Sequence, residues 1–230
     1  MMYLVNDIYA TVQGEGVQTG VPMVLLRLHG CGVGCPWCDT KETWSIQPKN
    51  ELLVKELDLS PILGANAHYA RLSGTEIAVY IRRSFPAFRE GWVLVTGGEP
   101  ADQDLRGLVS ALHDVGFRVA LETSGTAMGH VNARFDWVCV SPKIDMPGGR
   151  TVLGAALAEA DEIKQVVGSL KDLERLDSLL EAHGMNLKLG VQVCLQPVSQ
   201  SKKATELCLE TVQEKGWRLS IQTHKYIGVS

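Results

Sequence analysis

The chain has 230 residues, of which 45% are hydrophobic and 21% charged, and its formal net charge is -4. These values are typical of a globular domain with one sizeable core. The negative net charge argues against non-specific electrostatic binding of nucleic acid by the chain as a whole. The first residues lack the basic segment and apolar core of a signal peptide, and no apolar run approaches the roughly 20 residues that span a bilayer. We therefore expect a cytoplasmic protein with no membrane partner and no direct contact with nucleic acid.

Short β-branched apolar runs alternate along the chain with stretches of helical spacing. The predicted strands are 22–28, 92–96, 117–122, 137–141, 162–167, 191–195 and 217–223, and apolar residues at helical spacing predict helices within 105–115, 170–180 and 204–212. This alternation indicates a parallel sheet with crossover helices, either a barrel or a doubly wound sheet. We expect a single domain over 1–230, with an irregular, proline-broken insertion at about 45–88 packed outside the first crossover.

Polar, chemically capable side chains follow nearly every predicted strand. A cysteine loop follows the first strand, Thr96-Gly97-Gly98-Glu99-Pro100 ends the second, and Glu122-Thr123-Ser124-Gly125 ends the third. Such residues at most strand ends are typical of the mouth of a barrel enzyme, whereas a doubly wound sheet concentrates them at one switch point. Because about seven strands fall short of eight βα units, we predict an incomplete (β/α) barrel with a mostly parallel sheet.

Three of the six cysteines, Cys31, Cys35 and Cys38, lie in one glycine-rich loop. Cytosolic thiols stay reduced, so clustered cysteines there indicate a metal or catalysis more than disulfides. Three thiolates can hold a [4Fe-4S] cluster and leave one iron free to bind a small molecule. The alternative is a zinc-stabilised binding module with His29 as the fourth ligand. The remaining cysteines have apolar neighbours and are predicted to be small buried side chains: Cys139, Cys194 and Cys208.

The spacing Cys31-x3-Cys35-x2-Cys38, followed by Gly97-Gly98-Glu99-Pro100, resembles the radical S-adenosylmethionine superfamily. Over essentially the whole chain the sequence is similar to the 7-carboxy-7-deazaguanine synthase family. The motifs that carry this resemblance are Thr11-Val12-Gln13-Gly14-Glu15-Gly16, Arg27-Leu28-His29-Gly30-Cys31, Cys38-Asp39-Thr40-Lys41, Glu122-Thr123-Ser124-Gly125-Thr126, Val140-Ser141-Pro142-Lys143 and Gln222-Thr223-His224-Lys225-Tyr226.

The resemblance implies an enzyme that converts 6-carboxy-5,6,7,8-tetrahydropterin to 7-carboxy-7-deazaguanine with loss of ammonia, in the biosynthesis of a queuosine precursor. It implies a [4Fe-4S] cluster that cleaves S-adenosyl-L-methionine to start radical chemistry, and it implies Mg2+. It also implies a homodimer and an electron donor such as flavodoxin. A glycyl-radical-enzyme activase shares the cysteine spacing and is the alternative among enzymes.

Residue roles follow from the same resemblance. The expected contacts to S-adenosylmethionine are Trp37, Cys38, Asp39, Gly98, Glu99, Ser141, Pro142, Lys143 and Gln196. The expected substrate contacts are Val12, Gln13, Gly14, Glu15, Arg27, Thr96 and His224. The expected magnesium ligand is Thr40, which is also placed to cap a helix. Arg27 lies in an apolar run and suits a substrate carboxylate, although a rim arginine would look the same. No catalytic side chain is assigned beyond the cluster and cofactor, and the C-terminal carboxylate is expected to close the site.

Overall fold

The computed structural model describes residues 1–55, 58–64, 66–88 and 90–228. Within these ranges the strands are β1 (Met2–Val12), β2 (Pro22–Leu28), β3 (Ala70–Ser73), β4 (Trp92–Gly97), β5 (Arg118–Thr123), β6 (Trp137–Val140), β7 (Glu162–Val167), β8 (Gln192–Pro197) and β9 (Arg218–Leu219). They form one sheet in the order β3-β1-β2-β4-β5-β6-β7-β8-β9. β1 runs antiparallel to both of its neighbours, and every other pair is parallel. The sheet does not close, so the prediction of an incomplete, mostly parallel barrel is confirmed.

The α-helices of the described residues are α1 (Gly74–Ser84), α2 (Arg106–Asp114), α3 (Gly154–Ala158), α4 (Leu170–His183), α5 (Lys202–Lys215) and α6 (Thr223–Ile227). α2, α4 and α5 confirm the helices predicted from apolar spacing. α1 begins at a capping box, in which Ser73 Oγ accepts from Glu76 N at 3.2 Å and the Glu76 carboxylate accepts from Ser73 N at 2.7 Å. None of these helices is both long enough and apolar enough to cross a membrane.

The two faces of the sheet have different characters, because successive side chains of a strand point to opposite sides. On β2, Val24, Leu26 and Leu28 belong to the large core that the sheet shares with the helices. The alternate residues Met23 and Leu25 belong to a second, smaller cluster with residues of β4 and β5. We call the face that carries Met23 and Leu25 the inner face of the sheet. It is apolar where the strands begin, and its side chains are polar where the strands end.

The three isolated cysteines are buried, as predicted. Cys208 lies in the main core, and burial raises its pKa to about 11. Burial, reinforced by the Glu162 carboxylate, raises the pKa of Cys194 to about 12. Burial also raises the pKa of Cys139 well above its ordinary value. These thiols are protonated at neutral pH and act as small apolar side chains.

The structure adds two strands that the sequence analysis did not predict, β1 and β3. β1 is interrupted by polar Asn6 and Asp7, which break its apolar pattern. A bulge accommodates this interruption, since Val5 pairs with Leu28 but Asp7 pairs with Arg27. The Asn6 side-chain NH2 donates to the carbonyls of residues 66 and 68, both at 2.7 Å, and these bonds satisfy the donors of a fully buried side chain.

Two other predictions need correction. The segment 45–88 is not irregular throughout, because β3 and α1 occupy its second half and α1 packs on α2. Positions 56, 57 and 65 of that segment lie outside the described residues. The predicted strand 217–223 is wrong beyond residue 219: β9 has two residues, and Thr223 begins α6. Gln222 therefore immediately precedes α6, and His224 lies within it.

Candidate functional site

A cavity of about 320 Å³ lies over the carboxyl ends of the parallel strands. Every residue predicted for the site lines it except Pro142, which is buried but is not part of the wall. The lining residues among the predicted set are Val12, Gln13, Gly14, Glu15, Arg27, Cys31, Cys35, Trp37, Cys38, Asp39, Thr40, Thr96, Gly98, Glu99, Ser141, Lys143, Gln196 and His224. The fold thus brings to one cavity side chains that are scattered over most of the sequence.

The cysteine loop forms one wall of this cavity. Cys35 is buried and Cys31 and Cys38 are partly exposed, so the thiols face the cavity from protected positions. Backbone and indole N–H groups point at sulfur: Val33 N lies 3.5 Å from Cys31 Sγ, and Trp44 Nε1 lies 3.3 Å from Cys38 Sγ. Donors of this kind stabilise the thiolates of iron–sulfur clusters.

The donor set of this wall fits a three-cysteine cluster. Three thiols with N–H donors behind them line one cavity, and no further cysteine is among the described residues of its wall. The three thiols share this wall, but within the described part of the chain no three His, Cys, Asp or Glu side chains are already close enough together to hold a metal ion. Burial raises the pKa of the Cys31 and Cys35 thiols, and Lys143 opposes this at Cys35.

His29 is engaged elsewhere. Its Nε2 lies 3.1 Å from the carbonyl of Ser45, and its ring stacks on Tyr69 with 4.6 Å between the ring centroids. His29 is not part of the cavity wall, and burial lowers its pKa. The ring supports the segment after the cysteine loop, which gives no support to the zinc module.

The loop after β4 is joined to the cysteine loop by backbone hydrogen bonds. Gly98 N donates to the Leu28 carbonyl at 3.0 Å, and Glu99 N donates to the Gly30 carbonyl at 2.8 Å. A Cβ at Gly98 would lie 2.3 Å from the Gly30 oxygen, so only glycine permits this approach. Gly98, an expected cofactor contact, therefore lets the loop after β4 and the cysteine loop pack together.

The Glu99 carboxylate is held rigidly at the cavity wall. It is 1% exposed, and it accepts hydrogen bonds from Thr123 Oγ1 at 2.6 Å, Ser124 N at 2.7 Å and Ala101 N at 3.0 Å. Three donors restrain both oxygens of this buried carboxylate. The arrangement therefore fixes the position of the Glu99 side chain beside the cysteine loop.

Arg27 and Thr96 are neighbours on the inner face. They are paired across the parallel strands β2 and β4, and both line the cavity. Arg27 Nη2 donates to Tyr9 Oη at 3.2 Å, which orients the guanidinium. An arginine held in this way can bind a carboxylate with two parallel hydrogen bonds. The location is the cavity wall and not an outer rim.

Thr40 does not cap a helix through its side chain. It precedes the 3-10 helix Lys41–Thr43, yet its hydroxyl makes no capping hydrogen bond and lies 3.7 Å from Cys38 Sγ. The capping alternative is therefore wrong. The hydroxyl lines the cavity, where it can act as an oxygen ligand.

Two further predicted residues lie at the ends of β6 and β8. Lys143 Nζ donates to the carbonyl of Ser141 at 2.9 Å and to its hydroxyl at 2.5 Å, and burial lowers the pKa of Lys143. Gln196 is buried, and its side-chain oxygen accepts from Ser220 Oγ at 2.9 Å. Both side chains have fixed orientations toward the cavity.

The sequence analysis missed a buried ion cluster on the opposite wall, the Lys164 cluster, made of Gln13, Glu15, Glu122, Lys164 and Gln222. Lys164 is 3% exposed, and its Nζ lies 2.5 Å from Glu15 Oε2 and 3.1 Å from Glu122 Oε1. Gln222 Nε2 donates to Glu15 Oε1 at 2.7 Å, and Gln13 Nε2 donates to Glu122 Oε1 at 3.1 Å. The available signal was a lysine at an inward position of a strand.

The charges of this cluster stabilise one another. Burial opposes ionisation of Glu15, but the Lys164 ammonium and the amides of Gln222 and Gln196 outweigh it and lower the Glu15 pKa to about 2. Burial likewise opposes the charge on Lys164, but Glu122 and Glu15 raise the Lys164 pKa well above its ordinary value. At neutral pH the cavity therefore contains an ionised Glu15.

The turn between β1 and β2 crosses the open side of the sheet. Gly16 N donates to Ser220 Oγ at 2.8 Å, and Val17 N donates to Glu162 Oε2 at 3.1 Å. Thr223 at the start of α6 donates to the Gly14 carbonyl through its N–H at 2.9 Å and through its hydroxyl at 2.8 Å. This turn therefore delivers the residues 13–15 to a site built mainly by strands far along the chain.

His224 lies against the turn and reaches the cavity wall from α6. A Cβ at Gly14 would lie 2.0 Å from His224 Nδ1, so the ring occupies the space that this glycine leaves. Lys225 Nζ lies 3.5 Å from Asp39 Oδ2, which connects α6 to the cysteine loop. The C-terminal carboxylate that was expected to close the site belongs to residues 229–230, outside the described residues.

Comparison with known proteins identifies close relatives. The chain is 43% identical over 233 residues to the 7-carboxy-7-deazaguanine synthase of Escherichia coli (strain K12), covering 100% of both chains. It is 32% identical over 229 residues to the enzyme of that name from Buchnera aphidicola subsp. Schizaphis graminum, again covering 100% of both. The crystal structure of QueE from Escherichia coli matches with a TM-score of 0.85 and 41% identity, over 97% of this chain and 95% of that one. No family model matches the chain.

Proposed function

Because this chain belongs to the 7-carboxy-7-deazaguanine synthase family, we propose that the cavity at the strand ends is its active site. The chain is a radical S-adenosylmethionine lyase that converts 6-carboxy-5,6,7,8-tetrahydropterin to 7-carboxy-7-deazaguanine with loss of ammonia, in queuosine precursor biosynthesis. The activase and the zinc module are not favoured. One observation carries the residue assignment: a single cavity is lined by the three loop cysteines and by side chains from residue 12 to residue 224.

In this proposal Cys31, Cys35 and Cys38 hold a [4Fe-4S] cluster, and the N–H groups of Val33 and Trp44 support their sulfurs. When bound, the cluster and S-adenosylmethionine supply the radical that begins the reaction. The chain provides binding, orientation and exclusion of water.

The cofactor residues have chemically distinct tasks. The fixed Glu99 carboxylate accepts from the ammonium group of the methionine end, where a buried anion gives a charge-assisted hydrogen bond. Gly98 leaves room beside the cysteine loop. The remaining contacts are assigned to the segment Trp37–Asp39, the strand-end residues Ser141, Pro142 and Lys143, and Gln196.

The substrate residues match the two polar ends of a carboxylated pterin. Arg27, oriented by Tyr9, binds the substrate carboxylate, and Thr96 lies beside it on the neighbouring strand. Glu15 is ionised and therefore only accepts hydrogen bonds, which suits the N–H groups of the pyrimidine ring. Gln13, together with the backbone of Val12 and Gly14, completes this edge. His224 closes it from α6.

We assign the magnesium ion to Thr40. A hydroxyl oxygen suits a hard cation, and this one is not used for capping. A single hydroxyl is a weak ligand, so substrate oxygens and water molecules would have to supply the other ligands of the ion.

The proposal extends to the partners and surroundings of the enzyme. A homodimer and a flavodoxin-like electron donor come from the family resemblance. A cytoplasmic location agrees with six free cysteines, because reduced thiols are typical of a reducing compartment.

The test is anaerobic turnover. Purified enzyme is incubated with a reductant, S-adenosylmethionine, Mg2+ and 6-carboxy-5,6,7,8-tetrahydropterin, and each component is omitted in turn. We expect a brown protein absorbing at about 400 nm, formation of 7-carboxy-7-deazaguanine, and loss of product without any one component. A colourless protein would contradict the assignment of the cluster. A brown protein that forms no deazaguanine would contradict the assignment of the substrate.

A further inference from the structure

We propose that the ion pair between Arg150 and Asp102 is a positioning element that sets the reduction potential of the cluster. The inference depends on the proposed function, since it takes the cysteine loop as the cluster site. Neither residue is among the described residues that line the cavity. Both therefore act from the outer side of the loop, away from substrate and cofactor.

The ion pair joins two different loops. Arg150 Nη1 lies 2.5 Å from Asp102 Oδ1, and Nη2 lies 3.0 Å from Oδ2, which is the bidentate geometry of an arginine–carboxylate pair. Asp102 ends the 3-10 helix that begins directly after Glu99, whereas Arg150 lies between β6 and α3. The side chains are 30% and 31% exposed, so solvent screens them only in part.

The guanidinium lies against the backbone of the cysteine loop. A Cβ built on Gly32 would lie 2.6 Å from Arg150 Nη2 and 3.1 Å from both Cζ and Nε. The absence of a side chain at residue 32 is what admits the charged group. Gly32 is bracketed in sequence by the cluster ligand Cys31 and by Val33.

The loop that carries Arg150 is also fixed to the cysteine loop through its backbone. Gly148 N donates to the Val33 carbonyl at 3.0 Å. A Cβ at Gly148 would lie 2.0 Å from the Gly32 oxygen, so the two backbones are in direct contact. The position of the guanidinium over Gly32 is thus determined by the fold and by Asp102 together.

A fixed charge packed against the backbone of the cysteine loop changes the energy of adding an electron to a cluster held there. Reduction makes the cluster and its thiolates more negative, so a neighbouring cation favours the reduced form and a neighbouring anion disfavours it. Arg150 is a permanent cation. Asp102 holds it in place and offsets part of its field, so the two residues pull the potential in opposite directions.

The variants are chosen for this opposition of sign. R150Q leaves the Asp102 carboxylate without its cationic partner. At a fixed applied potential we expect the ratio of reduced to oxidised cluster to fall about tenfold, which corresponds to a reduction potential lower by about 59 mV for a one-electron couple. D102N leaves the Arg150 cation without its anionic partner and should raise that ratio. The double variant returns toward the wild-type value, and R150K keeps the charge and stays near it.

The matched control is R106Q. Arg106 forms a similar pair with Asp104 at 2.5 Å but is 65% exposed, and no hydrogen bond or ion pair of the described residues joins either side chain to the cysteine loop. We expect its removal to leave the potential unchanged.

The measurement is a mediated potentiometric titration of the anaerobically reconstituted full chain, followed by the electron paramagnetic resonance signal of the reduced cluster, with iron counted per chain. Opposite shifts in R150Q and D102N at equal iron content support the proposal. The proposal would be overturned if R150Q and D102N shifted the potential in the same direction or not at all, or if R150K shifted it as much as R150Q. Loss of iron in both single variants would also overturn it, because the ion pair would then only stabilise the loop that holds the cluster. Wild-type protein without iron would instead refute the proposed function.

Discussion

Replacing Lys164 by methionine removes the only positive charge of the Lys164 cluster and keeps most of the side-chain volume. Lys164 is 3% exposed, and its partner Glu15 is 15% exposed, so water cannot replace the lost ion pair. The folded protein lowers the Glu15 pKa from 4.5 to about 2. At about 1.36 kcal/mol per pKa unit this is about 3 kcal/mol, within the range for removing one partner of a buried pair. We expect K164M to lose about 3 kcal/mol of unfolding free energy at pH 7.

The pH dependence of this loss has a defined sign. Because the folded state lowers the Glu15 pKa, its contribution is complete above the ordinary value of 4.5 and disappears as the pH falls toward 2. The Lys164 pKa is raised, so its contribution is complete below the ordinary value of 10.5 and is lost only at higher pH. The difference between wild type and K164M is therefore largest from about pH 5 to pH 10 and narrows in acid.

The assay is guanidinium unfolding at pH 7 and at a series of values down to pH 3, with K202M as the control. Lys202 is 93% exposed and its Nζ lies 3.9 Å from Glu206 Oε1, so its removal should cost less than about 1 kcal/mol. Since Lys164 positions Glu15, K164M should also raise KM for the pterin more than it lowers kcat. If K164M were as stable as K202M at pH 7, or if its deficit did not change with pH, the electrostatic account of the cluster would be refuted.

Three other substitutions test the site from different sides. C35A should lose the 400 nm absorbance and all turnover while its far-ultraviolet circular dichroism stays that of the wild type; retained turnover would overturn the cluster assignment. R27Q should raise KM for the substrate at least tenfold, because a charge-assisted pair worth about 1.5–3 kcal/mol is lost, and an unchanged KM measured by steady-state kinetics would remove Arg27 from the substrate site. G14A should displace the His224 ring, lower the free energy of unfolding by about 1–3 kcal/mol and make α6 more sensitive to protease. The control is G184A, which should be neutral because a Cβ at residue 184 meets nothing within 4 Å. Equal behaviour of the two variants would contradict the packing of α6 on the turn.

The parts of the fold that follow local patterns were predictable. The parallel strands and the helices α2, α4 and α5 each have a periodic apolar signature, and the motif residues appear at strand ends where the chain leaves the sheet. β1 was missed because two polar residues, 6 and 7, interrupt its apolar pattern, and the donors of buried Asn6 find their acceptors 60 and 62 positions away. Its pattern looked broken, although the bulge restores the pairing.

The site was predictable where a motif marks it and not where charges meet through the fold. The thiols and Gly98 follow from spacing and resemblance, and their roles stay predictions. Lys164 carries no motif, and its partners Glu15 and Glu122 lie 149 and 42 positions away. The ion pair at Arg150 is similar, since Asp102 is 48 positions distant. Only the completed sheet brings such residues together.

The turn that crosses the open side of the sheet has a consequence for the order in which the molecule assembles. Its hydrogen bonds to Gln222 and Thr223 join positions separated by 207 and 209 residues. Closing so long a loop is unfavourable until the intervening chain is ordered, so these contacts form late in folding. During synthesis the cysteine loop leaves the ribosome long before α6 exists, and domains fold as their chain emerges. A nascent molecule therefore has a sheet edge and three accessible thiols before it has a closed cavity, and the interval between these two stages is when the thiols are most open to iron and to oxidants alike.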